Sequence, residues 1–451
     1  MIPEARVLTE LLYAPIFCSE GATTYDCLPL SQVNYSTIKS RFMSDKNFCK
    51  DISSVAVHCG SQQNGEKAHL MPVYATSVFT FDSVEQGMNR FSGTEPGYIY
   101  SRFGNPTTTA AQEAVEALEC FGLKNEDGAD LQAKALLCAS GQSAMATLFL
   151  SLLSAGDVVL SNSTIYGGTF EFFTEVLPQY NIKTIFKDLS DLDGLDEVLK
   201  QSPGIKIIHL ETPANPTMGC TDIEAVCKIA AANAVKVSID NTFATPYLQQ
   251  PFKFGVDFIF HSTTKFLNGH GTAIGGVLLG KDVALMKTKI NKTHKLLGGH
   301  GNPFDAFLLL NGIKTLAIRM EKHCSNAVAV ANFLKDHASV AKVNFNGLKD
   351  HPGYEISKKQ MRHPGAVLSF ELKGGLEAGK TFINKLQMCT RAVSLGTLDT
   401  LVSHPASMSH AKMKPEDRLQ AGIAEGLIRM SVGIEDAGDI TRDLEQALSG
   451  L

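Results

Sequence analysis

Phe258-Ile-Phe-His-Ser-Thr-Thr-Lys-Phe266 closes a short apolar run on hydroxyl residues and a lysine. A lysine set between a strand and small hydroxyl side chains is poorly explained by packing, and reads as an amine placed to trap a carbonyl. Upstream, Val235-Lys-Val-Ser-Ile-Asp-Asn-Thr242 ends a second apolar run on an aspartate. Taken singly, these residues are a surface lysine and a turn or helix-capping aspartate. Together they are the pair that pyridoxal phosphate needs, an amine for its aldehyde and an acid facing its ring nitrogen. Ser262 and Thr264 add two hydroxyls within reach of a phosphate. Gly269, Gly271, Gly275 and Gly276 follow, and are expected to let the backbone approach a bound group closely.

Outward from this pair, the chain alternates apolar runs with helix-length amphipathic stretches. Ala135–Ala139 precedes Ser143–Leu153, Val158–Leu160 precedes Thr169–Val176, and Ile182–Phe186 precedes Asp191–Leu199. Ile205–Leu210, Ile223–Ala232, Val235–Ile239 and Phe258–Phe260 continue the series. Repeated strand–helix units predict an α/β fold, a large, mostly parallel sheet covered by helices on both faces. Sites in such sheets gather at the carboxyl ends of the strands, where Asp240 and Lys265 fall. Ser140-Gly141-Gln142-Ser143 opens a predicted helix there, so its amides can cradle a phosphate dianion. Tyr166, ahead of Gly167 and Gly168, places an aromatic ring at another strand end, where it can stack on a planar ring. Each of these two features alone fits an ordinary turn or a core tyrosine.

The chain has 451 residues, 44% hydrophobic and 19% charged, with a formal net charge of −5. That is enough for a large domain and a smaller one, and it gives no basic field for nucleic acid or an anionic membrane. The ten cysteines show no CxxC pair, which fits reduced thiols in a cytoplasmic protein rather than zinc or a disulfide framework. His261, His270 and His300 match no metal spacing and are expected to be structural; no metal is expected. Residues 1–43 are expected to be an N-terminal extension, with Met43 as a possible alternative start. Residues 44–109 are expected to form an arm, 110–303 the large domain, and 304–451 a smaller C-terminal α+β domain whose helices begin with the run Asp305–Leu334.

Ordered blocks now accumulate: Tyr98-Ile-Tyr-Ser-Arg-Phe-Gly-Asn-Pro-Thr107, Ala139-Ser-Gly-Gln142, Glu211-Thr-Pro-Ala-Asn-Pro216, Asp240-Asn-Thr242, His261-Ser-Thr-Thr-Lys265, Ser394-Leu-Gly396, His404-Pro-Ala-Ser-Met408 and Gly426-Leu-Ile-Arg429. From about Ile52 onward the chain resembles the pyridoxal-phosphate enzymes of sulfur amino acid metabolism, the trans-sulfuration family. The resemblance implies the aminotransferase-like fold type I and a homotetramer built from catalytic dimers. It implies that Lys265 holds the cofactor covalently and then shuttles protons, with Asp240 at the ring nitrogen. By the same resemblance Gly141, Gln142, Ser262 and Thr264 hold the phosphate, joined by Tyr100 and Arg102 from a neighbouring subunit. Tyr166 stacks on the ring and acts as acid toward the leaving group. Asn215 lies near the phenolic oxygen, and Ser394 with Arg429 holds the substrate carboxylate.

The implied substrate is a small sulfur amino acid. Wording in the C-terminal half, such as Gly347-Leu-Lys-Asp-His-Pro352 and Arg391-Ala-Val-Ser-Leu-Gly396, is most similar to the methionine γ-lyase branch, which implies γ-elimination. Two departures point elsewhere. Glycine stands at 168, where that branch usually places a cysteine, and its Lys-Asp pair is not apparent around His294-Lys-Leu-Leu-Gly298. Ser140-Gly-Gln142 and Tyr166-Gly-Gly-Thr169 are closer to O-acetylhomoserine sulfhydrylase, so γ-replacement, including the cystathionine γ-synthase reaction, stands as the alternative. A cofactor-binding regulatory protein and an ordinary aminotransferase are the remaining readings.

Overall fold

The computed structural model describes residues 49–451, apart from 61–63, 65, 410, 412, 413, 415, 417 and 419–421. The extension expected over 1–43, with Met43, lies outside the described residues. The first sheet has seven strands: β1 (Lys134–Cys138), β2 (Val158–Asn162), β3 (Lys183–Lys187), β4 (Ile205–Glu211), β5 (Lys236–Asp240), β6 (Phe258–Ser262) and β7 (Gly276–Gly280). Their order is β1-β7-β6-β5-β4-β2-β3. All neighbours pair in parallel except β7, which runs antiparallel to both β1 and β6.

Both faces of this sheet are buried, and consecutive residues of each strand divide between two apolar clusters. Ala135 and Leu137, Leu160, Ile208, Ile259, Val277 and Leu279 enter one cluster. Leu136 and Cys138, Val159, Ile207, Phe258 and Phe260, and Leu278 enter the other. This is the period-two alternation of a strand with a helical layer on each side, and it explains why the strands read as unbroken apolar runs. Helices α1 (Pro106–Glu119), α2 (Gly141–Leu152), α3 (Leu192–Gln201) and α4 (Ile223–Ala232) supply the layers. α1, α3 and α4 pack into the first cluster, and α2 packs into the second. Their starts follow local chemistry. Asn105 caps α1 ahead of Pro106, and the Ser140 hydroxyl caps α2 by accepting from the Ser143 amide at 3.1 Å.

The helix-like run Asp305–Leu334 falls in two helices, α5 (Pro303–Lys314) and α6 (Leu316–Lys335). Thr315 sits between them, and a side chain at Gly312 would collide with the Asn268 backbone, so this turn presses directly on the segment after Lys265. α6 joins two cores: Leu316, Met320 and Cys324 pack beneath the first sheet, whereas Ala327, Val330 and Leu334 pack beneath a second. The second sheet comprises β8 (Val340–Asn344), β9 (Val367–Leu372), β10 (Thr390–Arg391), β11 (Leu401–Ser403) and β12 (Leu427–Ser431), ordered β10-β11-β12-β9-β8. Helices α7 (Gly375–Lys385) and α8 (Ala437–Leu448) complete its core.

Three of the glycines after Lys265 stand where other protein atoms crowd them. A side chain at Gly269, whose φ is +72°, would strike the Arg319 guanidinium; one at Gly275 would strike the Thr263 hydroxyl, and one at Gly276 the Ser140 carbonyl. They admit close protein contacts, and Gly276 opens β7, the strand that seals β1 against β6. Gly271, at φ +65°, meets only the Thr397 methyl. Arg319 is the staple of this region. It is buried, donates to the carbonyls of Phe266 and Gly312 at 2.8 Å each, and has its pKa lowered to about 10 by burial. Removing those charge-assisted bonds should cost about 3 kcal/mol. Arg319→Ala is therefore expected to lower the unfolding free energy of the cofactor-free protein by that amount in a urea titration.

Candidate active site

The carboxyl ends of the parallel strands deliver the residues singled out from the sequence. β5 ends in Asp240, β6 leads through Ser262 to Lys265, and β4 ends in Glu211, directly beside Asp240 in register. Asp240 Oδ1 accepts from the Thr242 amide at 2.9 Å. Burial nevertheless raises its pKa, against the opposing pull of Thr242, His261 and Lys265.

Lys265 meets the second sheet's loops. Its Nζ donates to Ser394 Oγ at 2.8 Å. Arg429, on β12, donates through Nη2 to the carbonyls of Val393 at 2.8 Å and Ser394 at 2.9 Å. The ammonium form of Lys265 is disfavoured first by burial and then by the Arg429 charge, and only partly restored by Asp240, so its pKa falls to about 8. Burial lowers Arg429 as well, to about 10, while nearby Tyr166 acts in the opposite direction. The loop carrying Ser394 approaches so closely that a side chain at Gly396, with φ +80°, would lie 2.6 Å from the Phe266 amide and 2.9 Å from the Lys265 carbonyl carbon. Glycine is required there on both counts.

The structure thus brings together Asp240, Lys265, Ser394, Arg429 and Tyr166. Gly141 joins them, since a side chain on it would lie 3.0 Å from Ser262 Cβ. Capping by Ser140 leaves the first amides of α2, those of Gly141 and Gln142, to face an anion. Thr264 has a partner that the sequence did not reveal: its hydroxyl accepts from the Gly275 amide at 3.0 Å and donates to the Gly275 carbonyl at 3.3 Å. The position next to Tyr166 is also crowded. A Cβ at Gly168 would lie 2.7 Å from the Tyr166 ring and collide with the Gln142 side-chain amide.

Tyr100 and Arg102 are placed elsewhere. Arg102 donates to the Lys295 carbonyl at 2.7 Å, with its guanidinium over Phe103 and Tyr100. It lines a cavity of about 560 Å³ together with Arg90, Lys134, His294 and His300, and Lys265 is not part of that wall. The three histidines singled out above have protein partners. His261 pairs with Glu119 at 2.7 Å in full burial, while His270 and His300 face the carbonyls of Asn268 and Gly298. Among the described residues, no helix is long and apolar enough to cross a membrane.

Among the buried side-chain polar atoms that have no protein partner, Asn215 Oδ1 and Arg429 Nε belong to residues assigned to this site. A ligand is one way to satisfy buried groups of this kind. Beside a desolvated amine, a buried acid and free helix-start amides, they fit a phosphorylated aldehyde and an amino acid carboxylate. Glu119 and Arg319 carry no local signal in the sequence, and the partners of Glu211, within Glu211-Thr-Pro-Ala-Asn-Pro216, are main-chain amides of Tyr166 and Asn215 that no motif discloses.

A model of the family described as Cys/Met metabolism PLP-dependent enzyme matches residues 53–449. An L-methionine gamma-lyase from Treponema denticola is 46% identical over 401 residues, 88% of this chain and 97% of that one. An O-succinylhomoserine sulfhydrylase from Pseudomonas aeruginosa is 37% identical over 88% of this chain and 95% of its own. Among solved structures, cystathionine gamma synthase from Xanthomonas oryzae pv. oryzae, crystallised with aminoacrylate and cysteine, superposes with a TM-score of 0.81. It is 36% identical, over 89% of this chain and 98% of that one.

The lowered pKa of Lys265 fixes a pH dependence. Only the neutral amine attacks a carbonyl, and its fraction grows as pH rises through about 8. The rate at which cofactor-free protein takes up pyridoxal 5′-phosphate, followed by visible absorbance, is expected to climb across that pH and level off above it. A rise centred near the ordinary lysine value of 10.5 would show that the amine is not desolvated.

Proposed function

The chain belongs to the Cys/Met metabolism pyridoxal-phosphate-dependent enzymes, and on that footing we propose that it eliminates the γ-substituent of L-methionine. Methionine and water become methanethiol, 2-oxobutanoate and ammonia. The observation that carries this reading is the convergence of Lys265, Ser394 and Arg429 at 2.8–2.9 Å across the seam of the two sheets. The likeness to proteins named L-methionine gamma-lyase supports the substrate.

When bound, the cofactor supplies a conjugated ring that accepts electrons from the carbon next to the substrate nitrogen. Asp240 would hold a proton at the ring nitrogen, and Asn215 would serve the phenolic oxygen. The amides of Gly141 and Gln142 and the hydroxyls of Ser262 and Thr264 would hold the phosphate, Thr264 by turning its proton from Gly275. Arg429 offers its unpartnered Nε to the substrate carboxylate, with Ser394 beside it. That contact orients the α C–H bond toward Lys265. Lys265 Nζ, whose pKa burial lowers to about 8, would remove the α-proton, give that proton up, and only then remove a β-proton. Tyr166 would hold the ring by stacking and would protonate the departing sulfur.

A homotetramer of catalytic dimers accompanies this reading, with Tyr100 and Arg102 serving a neighbouring copy's phosphate. Val84, Met88 and Phe91 in the arm are 76%, 67% and 67% exposed, an apolar surface suited to a second copy. A cytoplasmic location fits a chain whose cysteines are free wherever described.

Gly168 favours the second reading, γ-replacement on an acylated homoserine. The Gln142 amide occupies the space that a larger residue at 168 would claim, and sets a polar group beside Tyr166.

Two substitutions test the assignment. Lys265→Ala is expected to abolish turnover of L-methionine while the protein stays folded by circular dichroism; turnover within about tenfold of the parent would remove Lys265 as the proton carrier. Gly168→Cys is expected to displace the Gln142 amide and raise the ratio of methionine cleavage to replacement on O-acetyl-L-homoserine. An unchanged ratio would show that specificity is set elsewhere.

A further inference from the structure

Glu211 takes no part in the chemistry described above, yet it touches two of the residues assigned to it. It is the last residue of β4, and only 4% of it is exposed. Its Oε2 accepts from the Tyr166 main-chain amide at 2.7 Å, and its Oε1 accepts from the Asn215 main-chain amide at 3.1 Å. These amides belong to separate loops, one following β2 and the other following β4 itself. Tyr166 has no side-chain cap at the start of its helical turn, and its ring is half exposed, so the ring depends on its main chain for its position. Asn215 presents a buried side-chain oxygen without a protein partner from the same short loop.

We propose that Glu211 is a positioning residue whose carboxylate, by gripping both amides, sets the distance between the Tyr166 ring and the Asn215 side chain. Since Tyr166 is assigned to the face of the cofactor ring and Asn215 to its phenolic oxygen, Glu211 would fix the slot in which that ring is held. The inference rests on the functional reading above.

The placement is costly, which argues against an incidental contact. Glu211 stands beside Asp240 in register, and burial together with the Asp240 charge works against its ionised form. The ionised carboxylate accepts at full strength at both oxygens, whereas a proton on either one weakens that oxygen as an acceptor. The two main-chain amides are what favour that charge. A glutamine has the same shape but one acceptor, so Glu211→Gln opens one of the two bonds without creating a cavity.

The test compares wild type and Glu211→Gln, both loaded with pyridoxal 5′-phosphate. Three quantities are read: the visible circular dichroism of the bound cofactor, amide hydrogen exchange at Tyr166 and Asn215, and the separate values of kcat and KM on L-methionine. Glu211→Gln is expected to bind the cofactor with altered visible dichroism. Exchange should rise by about tenfold at one of the two amides, and kcat should fall by about tenfold or more with KM changed less than about twofold. A purely structural role would lower thermal stability without moving the dichroism or splitting kcat from KM. Wild-type exchange and wild-type dichroism in Glu211→Gln would overturn the proposal. If that variant does not fold, Glu211→Asp decides: its shorter carboxylate keeps the charge but cannot span both amides, so wild-type values there overturn the proposal as well. Should wild type itself fail to take up the cofactor, the functional reading falls and this inference with it. Uptake by wild type with an indifferent Glu211→Gln sinks only the role of Glu211.

Discussion

Keeping one amine dry at the seam of two sheets is the constraint around which this molecule is arranged. Lys265 lies where β6 has ended and the loops of the second sheet press in, and Ser394 is its hydrogen-bond partner at 2.8 Å. Desolvation and the neighbouring Arg429 charge disfavour its ammonium form, and Asp240 restores only part of that loss. An exposed lysine would remain protonated at neutral pH and would be useless as a base. Reactivity thus depends on the second sheet staying packed against the first, and catalysis and tertiary stability draw on the same contacts.

Several features with no chemistry of their own exist to keep that seam closed. Gly396 lets the Ser394 loop run against the Lys265 backbone, and its amide is anchored by the Ser431 hydroxyl at 2.9 Å. Arg319 ties α6 to the carbonyls just after Lys265, and α6 spans both cores. Behind the strand ends, Glu119 pairs with His261, while Asn241 donates to Glu119 at 3.1 Å and to the Gln249 carbonyl at 2.9 Å. This buried network links α1 to the ends of β5 and β6.

What the sequence disclosed follows from range. Strands β4 to β6 and their terminal residues were legible, because burial on both faces writes an unbroken apolar run and the site chemistry interrupts it sharply at Asp240 and Ser262. β7 was not: Gly276-Val-Leu-Leu-Gly280 sits among glycines that look like a loop until the sheet shows them relieving collisions with Ser140, Met286 and Phe258. The division of Asp305–Leu334 was hidden for a similar reason, since Gly312 acts through Asn268. Lys265 and Asp240 carried a local signature. Their supports did not, because Ser394, Arg319 and the Glu119–His261 pair act across separations of 129, 53 and 142 residues. The family blocks brought Ser394 and Arg429 into view by resemblance, and the geometry supplies the physical reason for both positions.

A buried amine that drives γ-elimination must act on an intact thioether. The most direct measurement is product analysis of the purified, cofactor-loaded protein given L-methionine alone and, separately, O-acetyl-L-homoserine with sulfide. The account predicts equal amounts of methanethiol, 2-oxobutanoate and ammonia from the first mixture. Homocysteine from the second, with methionine left untouched in the first, would contradict it.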